Sequence, residues 1–142
     1  MARVLELPMV SLGGRPHLAG RAVTIQVFED NSRVKEAVAE PGHGQVLVVD
    51  GGGSLRRSLV GGNVAAEAAA NGWAGFVVNG AVRDRTELGA TDLAVFALGT
   101  VPRKTEKLGI GERDLPVTFG GITIHPGDQV FADEDGIVIL PG

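Results

Sequence analysis

The sequence contains no cysteine, which excludes disulfides, thiolate nucleophiles and thiolate zinc sites. Its histidines, His17, His43 and His125, are isolated and show no metal-binding spacing. A metal ion would therefore need carboxylate, imidazole, carbonyl or water ligands. This set of ligands favours magnesium or manganese.

Long apolar segments are also missing, since no run approaches the roughly 20 residues that a membrane span needs. The start of the chain does not resemble a secretory signal, because Glu6 and Pro8 interrupt its apolar residues. The net charge of −4 argues against nonspecific binding to nucleic acids, which depends on cationic surface. These features predict a cytoplasmic protein that binds neither membranes nor nucleic acids.

Apolar runs typical of strands cover 22–28, 45–50 and 75–78, and glycines separate them. A further short strand is predicted within 91–98, followed by an exposed polar loop over 101–111. The final third favours four short strands, at 117–119, 121–124, 128–132 and 137–140. The 142 residues fit a single α/β domain, 1–142, with a mixed sheet whose second half is rich in antiparallel strands.

Two helices are predicted between these strands. The first follows Asp30 or Asn31, either of which suits a helix N-cap, and ends near Pro41. The second is the alanine-rich segment 63–71, with Gly72 at its C-terminal end. Because strands flank this second helix, 45–78 is predicted to form a βαβ unit.

The charged segment after strand 75–78 is the most informative motif. A turn containing Gly80 is predicted there, and it leads to Arg83, Asp84 and Glu87. Twenty residues lie between Gly62 and Arg83, which gives the pattern G-x(20)-R-D-x-x-E. In α/β proteins the catalytic and binding residues usually lie in loops at strand ends.

Each member of the motif suits one role. The bare amides at the start of helix 63–71 suit an anion, and Arg83 offers a bidentate fork for a carboxylate. Asp84 suits a divalent cation whose shell is completed by water. Glu87 would hold a metal-bound water or orient Arg83. A metal-bound water relayed by Glu87 or Asp50 would move a proton. The alternative is a surface ion-pair cluster.

The segment Gly51–Gly53 is a second candidate. A glycine loop after a strand suits a phosphate, but it equally suits a tight turn that allows close packing. The dinucleotide fingerprint is incomplete because Arg56 stands where its third glycine belongs. Both interpretations of the loop remain open from the sequence.

Several motifs together resemble the RraA-like family, which includes regulators of ribonuclease E activity and class II 4-hydroxy-4-methyl-2-oxoglutarate aldolases. The similar segments are 28–31, 46–54, 80–84, 109–112, 119–121 and 132–136. The resemblance runs from about Gly13 to the end. The family usually has a longer segment before Gly13 than this sequence has.

The resemblance implies a swivelling β/β/α domain assembled as a ring-shaped homotrimer, with sites at subunit boundaries. It also implies a lyase that uses Mg²⁺ or Mn²⁺ to cleave 4-hydroxy-2-oxo acids to pyruvate and to decarboxylate oxaloacetate, through a pyruvate enolate. The expected catalytic residues are Arg83, Asp84 and Glu87, with Asp84 as the metal ligand. The expected substrate contacts are Gly61, Gly62, Asn63, Val64 and Arg83.

The same resemblance allows a noncatalytic alternative, a protein that binds and inhibits an endoribonuclease of the RNase E type. Such regulators can lack the aspartate after the arginine, whereas Asp84 is present here. The aspartate therefore favours the lyase.

Overall fold

The computed structural model describes residues 2–142. Its helices are α1 (Ser32–Val38), α2 (Gly62–Ala70) and α3 (Arg85–Gly89). Its strands are β1 (Arg3–Val4), β2 (Val10–Ser11), β3 (Leu18–Gln26), β4 (Val46–Asp50), β5 (Ser58–Val60), β6 (Gly75–Val82), β7 (Ala94–Thr100), β8 (Glu112–Arg113), β9 (Val117–Phe119), β10 (Ile122–Ile124), β11 (Gln129–Asp133) and β12 (Gly136–Leu140). Within 2–142, no helix is long and apolar enough to cross a membrane.

Ten strands form one mixed sheet in the order β1-β12-β11-β3-β4-β6-β7-β2, with β5 beside β6 and β8 beside β3. The central strands β3, β4, β6 and β7 run parallel to one another. Antiparallel strands flank this centre, and β9 pairs with β10 as a separate hairpin. The mixed sheet confirms the predicted α/β class.

Alternating side chains of the central strands supply two apolar cores, one on each face of the sheet. In β4, Leu47 and Val49 pack into the core that contains the helices. Val46 and Val48 point the other way, into the core that contains the β9–β10 hairpin. Both faces are covered, which explains why residues 46–49 of β4 are all apolar. The result is a helix layer, a sheet and a small hairpin layer.

The predicted turn containing Gly80 is wrong, because β6 continues to Val82. Two neighbours extend it: β5 places Val60 opposite Val82, and β7 places Thr100 opposite the same residue. The three-residue strand β5 is too short to show a periodic pattern, so its pairing with β6 is not visible in the sequence. The Arg83–Asp84 pair thus follows directly from a buried strand.

The other predicted elements agree with the structure apart from their ends. The strand predicted within 91–98 lies at β7, and the unpredicted elements are α3, β5 and the two-residue strands β1, β2 and β8. Gly72 follows α2 with φ of +84°, as a glycine after a helix commonly does. At α1 the N-cap position is Asn31, and the preceding residue, Asp30, accepts the Ser32 amide through its Oδ1 at 2.8 Å. Asn31 makes no capping bond.

The Gly51–Gly53 loop is a tight turn whose amides are already occupied. Gly51 and Gly53 both donate to the Asn79 carbonyl, at 3.0 and 3.1 Å. Gly52 donates to Asp50 Oδ1 at 3.0 Å. With these N–H groups satisfied inside the protein, the packing interpretation is favoured over a phosphate cradle.

The predicted loop 101–111 lies between β7 and β8, and side chains that precede α1 fix its position. Asp30 is buried and accepts the Leu108 amide as well as that of Ser32. Asn31 Oδ1 accepts the Thr105 hydroxyl at 2.8 Å. Burial alone would raise the pKa of Asp30, but the amide hydrogen bonds hold that pKa below its usual range.

We expect Asp30→Asn to reduce the free energy of unfolding at pH 7 by about 1.5–3 kcal/mol, the range for hydrogen bonds to a charged group. Because the folded-state pKa of Asp30 is depressed, its contribution is present above the unfolded pKa of about 3.9. It is lost as pH falls through the folded pKa, so the difference between variant and wild type should shrink below about pH 4. Urea unfolding across pH measures this difference.

Glu134→Gln is the matched control, because Glu134 is exposed in the β11–β12 turn. It should change stability by less than about 0.5 kcal/mol. An Asp30→Asn difference that stays constant down to pH 2–3 would contradict the assignment of this charge as the anchor of the loop.

Candidate active site

The structure brings the start of α2 to the end of β6. The Arg83 amide donates to the Val60 carbonyl at 2.9 Å, which ties the residue after β6 to the end of β5. The Gly62 amide then donates to Asp84 Oδ2 at 2.8 Å. Four of the predicted residues, Gly61, Gly62, Arg83 and Asp84, therefore lie together.

The two glycines make this approach possible. A Cβ on Gly61 would lie 2.9 Å from Asp84 Oδ2 and 3.1 Å from Arg83 Nε. A Cβ on Gly62 would lie 3.0 Å from the Cβ of Glu87. Any larger side chain at these positions would displace the charged groups that face them.

Asp84 has a left-handed backbone, with φ of 66° and ψ of 54°. Asparagine and aspartate tolerate this conformation better than other non-glycine residues. It turns the chain from β6 into α3 and directs the carboxylate to the Gly62 amide. The Asp84 and Arg83 side chains remain 41% and 38% exposed, with 3.9 Å between Asp84 Oδ2 and Arg83 Nε. Both are therefore accessible to a ligand.

The next two amides of α2 are free. Within residues 2–142 the N–H groups of Asn63 and Val64 have no protein acceptor, whereas that of Ala65 already bonds to the Gly61 carbonyl. Free N–H groups at a helix start favour an anion. Asn63 and Val64 both line the cavity next to Arg83 and Asp84.

That cavity has a volume of about 90 Å³. Arg83 and Asp84 also line a more open cavity of 280 Å³, but Asn63 and Val64 do not. Only the smaller cavity thus combines the charged pair with the free amides. Its wall consists of Asn31, Lys35, Ser58, Gly61, Asn63, Val64, Arg83, Asp84, Lys104, Thr105 and Lys107.

Glu87 and Asp50 do not line this cavity. Glu87 lies on α3 with its Cβ facing Gly62, and its carboxylate makes no hydrogen bond within 2–142. Asp50 accepts from the Asn79 side chain at 3.0 Å and lines a separate cavity beside Phe28. Of these two candidates for proton transfer, only Glu87 is near the site.

The lysines of the cavity were not predicted. Lys35 lies on α1, and Lys104 and Lys107 lie on the 101–111 loop. The charge of Lys35 lowers the pKa of Lys107, and Lys104 and Arg83 add to this effect. They are the only lysines in the sequence, but nothing in the sequence places them together.

A divalent cation would have a single carboxylate ligand in this site. Asp84 is the one carboxylate in the cavity wall, and residues 2–142 hold no cluster of three or more His, Asp or Glu side chains suited to a metal. Mg²⁺ often binds through one or two carboxylates and keeps several waters or substrate oxygens. The donor set fits an ion held by Asp84 and completed by water and an oxo acid.

Sheet, hairpin and cavity together define an α/β protein with a cationic site at the end of a βαβ unit. The chain belongs to the RraA-like family (Aldolase/RraA), whose model matches residues 4–139. This confirms the resemblance.

Similar proteins carry different names. A protein from Alkalilimnicola ehrlichii, provisionally named a 4-hydroxy-4-methyl-2-oxoglutarate aldolase, is 56% identical over 96% of this chain and 85% of its own. A protein of the same provisional name from Laribacter hongkongensis is 54% identical over 98% and 87%. The structure of the RNA-processing inhibitor RraA from Thermus thermophilis superposes with a TM-score of 0.96 at 48% identity, over 99% and 85%.

We expect Gly61→Ala to separate Asp84 from the Gly62 amide, because its methyl group would overlap Asp84 Oδ2. The Gly62 N to Asp84 Oδ2 distance, 2.8 Å in the wild type, should exceed about 3.5 Å in a crystal structure of the variant. Gly61 has φ of −118°, so alanine adds no backbone strain. Gly99→Ala is the control, since a Cβ at Gly99 meets no atom within 4 Å. An unchanged distance in Gly61→Ala would show that the glycine is not required.

Proposed function

We propose that this protein is a divalent-metal-dependent lyase that cleaves 4-hydroxy-4-methyl-2-oxoglutarate and similar 4-hydroxy-2-oxo acids to pyruvate and decarboxylates oxaloacetate. The observation that carries the proposal is the convergence of Arg83, Asp84 and the free amides of Asn63 and Val64 on one cationic cavity. The aldolase names of relatives at 56% and 54% identity support it.

In this proposal the protein binds the 2-oxo acid end of the substrate. The amides of Asn63 and Val64 donate to its carboxylate, and Arg83 lies beside its carbonyl oxygen. Asp84 holds Mg²⁺ or Mn²⁺, which when bound supplies Lewis-acid polarisation of that carbonyl. The Gly62 amide fixes the position of the Asp84 carboxylate, so it does not need to reorganise during the reaction.

Both reactions break the C3–C4 bond and leave its electron pair on pyruvate as an enolate. Arg83 is half-exposed at the cavity wall, where its charge stabilises the negative charge that develops on the carbonyl oxygen. In aldol cleavage the C4 hydroxyl loses a proton, and in both reactions C3 gains one. Glu87, whose carboxylate has no partner within 2–142, is our candidate for moving these protons through water.

The oligomer expected from the family is part of the proposal. A homotrimer would place the cavity near a subunit boundary and cover apolar side chains of its neighbourhood. Phe28, Leu108 and Ile110 are 51%, 68% and 48% exposed, and all three line one surface depression.

We expect Asp84→Asn to lose most of the metal-dependent activity, on the order of 100-fold or more, because it removes the single acidic ligand. Asparagine keeps the left-handed backbone and an oxygen for the Gly62 amide. The measurement is pyruvate release from oxaloacetate and from 4-hydroxy-4-methyl-2-oxoglutarate, above the background that free metal gives. Asp114→Asn is the matched control: Asp114 is exposed and also left-handed, with φ of 64°. Equal activity in both variants would refute the role of Asp84.

We also expect the metal and the oxo acid to bind cooperatively. Four cationic side chains around Asp84 oppose binding of a free divalent ion, and an anionic oxo acid offsets them. The affinity for Mn²⁺, followed by electron paramagnetic resonance, should rise at least about tenfold when oxalate is present. Equal Mn²⁺ affinity with and without oxalate would contradict this coupling.

A second function is favoured by the similarity to the RNA-processing inhibitor of Thermus thermophilis. In that case the protein would bind an endoribonuclease of the RNase E type, with no need for Asp84. The variants above separate the two roles. A lyase loses activity in Asp84→Asn, whereas an inhibitor retains full inhibition of RNA cleavage in the same variant.

A further inference from the structure

All the lysines of this chain lie in one part of the fold. The only lysines in the sequence are Lys35, Lys104 and Lys107. All three line the cavity beside Arg83 and Asp84. We refer to these three residues as the lysine cluster. In a protein of net charge −4, every lysine ammonium group thus lies at one small cavity.

The fold holds the lysine cluster in place through polar contacts of buried groups. Thr105, between Lys104 and Lys107 in the sequence, is buried and donates to Asn31 Oδ1 at 2.8 Å. The Asn31 amide group in turn donates to the Leu59 carbonyl at 3.3 Å. These hydrogen bonds therefore fix the position of the loop, and with it Lys104 and Lys107, relative to Lys35 of α1.

No acidic side chain neutralises the lysine cluster. None of its members takes part in the ion pairs found within residues 2–142, whereas most arginines do. Mutual repulsion follows, and the charge of Lys35 lowers the pKa of Lys107. Gathering like charges without a counterion opposes folding, so a ligand that supplies negative charge would relieve the cost.

We propose that the lysine cluster binds a second carboxylate of the substrate, remote from the 2-oxo acid end, and so selects dicarboxylic over monocarboxylic 2-oxo acids. This proposal rests on the lyase function above, in which Arg83 and the amides of α2 take the 2-oxo acid end. Lysine suits the role because its ammonium group is a compact charge on a flexible stem, which follows a carboxylate whose position varies between substrates.

A pair of unreactive ligands tests the proposal without turnover. 2-Oxoglutarate and 2-oxopentanoate have the same chain length and differ only in the distal carboxylate. In the presence of Mg²⁺, isothermal titration calorimetry should show 2-oxoglutarate binding to the wild type at least about tenfold more tightly, the effect of one charge-assisted hydrogen bond. Equal affinities for the two ligands would overturn the proposal.

Variants assign the preference to the lysine cluster. The double variant Lys104→Ala/Lys107→Ala should lose the preference and bind both ligands with affinities within about threefold of each other. Lys104→Arg/Lys107→Arg should restore most of it. Arg103→Ala is the matched control, because Arg103 is exposed, adjoins Lys104 and does not line the cavity. A folded double alanine variant that keeps the wild-type preference would overturn the proposal.

Turnover distinguishes failure of this inference from failure of the proposed function. The double alanine variant should lower kcat/KM for 4-hydroxy-4-methyl-2-oxoglutarate at least about tenfold more than kcat/KM for 4-hydroxy-2-oxopentanoate, which lacks the second carboxylate. Equal losses on both substrates would overturn the assignment to the lysine cluster. If the wild type cleaves neither substrate but prefers 2-oxoglutarate in the titrations, the lyase proposal fails and the second-carboxylate site stands.

Discussion

The hydrogen bond between the Gly62 amide and the Asp84 carboxylate is the contact on which the site depends. It joins the start of α2 to the residue that leaves β6, across 22 positions of sequence. Three local conditions allow it: β5 extends β6 to Val82, Asp84 takes a left-handed backbone, and Gly61 leaves room for the side chains of Arg83 and Asp84. Loss of any one of them would separate the charges from the free amides.

Positive charge is concentrated at the site, although the chain as a whole is acidic. The chain is acidic as a whole, yet the cavity wall holds four cationic side chains and one carboxylate. Such a wall attracts small polyanions and repels bare cations, so an anion bound there would favour binding of a divalent cation at Asp84. The chemistry suggested by the Arg83–Asp84 pair and the electrostatics of the wall are therefore mutually consistent.

The sequence predicted the part of the site that depends on local structure. The spacing between Gly62 and Arg83 reflects one helix and one strand, so a βαβ interpretation is enough to place them together. The lysines could not be found in this way, because the loop that carries two of them has no periodic pattern. Its position is set by Asp30 and Asn31, more than 70 residues earlier. The direction of the Asp50 side chain is not visible in the sequence for a related reason. A strand end fixes the edge of the sheet, but hydrogen bonds from Asn79 and Gly52 direct the Asp50 carboxylate.

Two parts of the cavity wall are held in place in different ways. Arg83 and Asp84 follow a strand within the ten-stranded sheet, whereas Lys104 and Lys107 belong to a segment attached mainly through side-chain contacts. Replacement of a few residues in that segment would change the shape and charge of the cavity wall without altering β6. Such an arrangement permits new ligand preferences to arise during divergence without rebuilding the reactive groups.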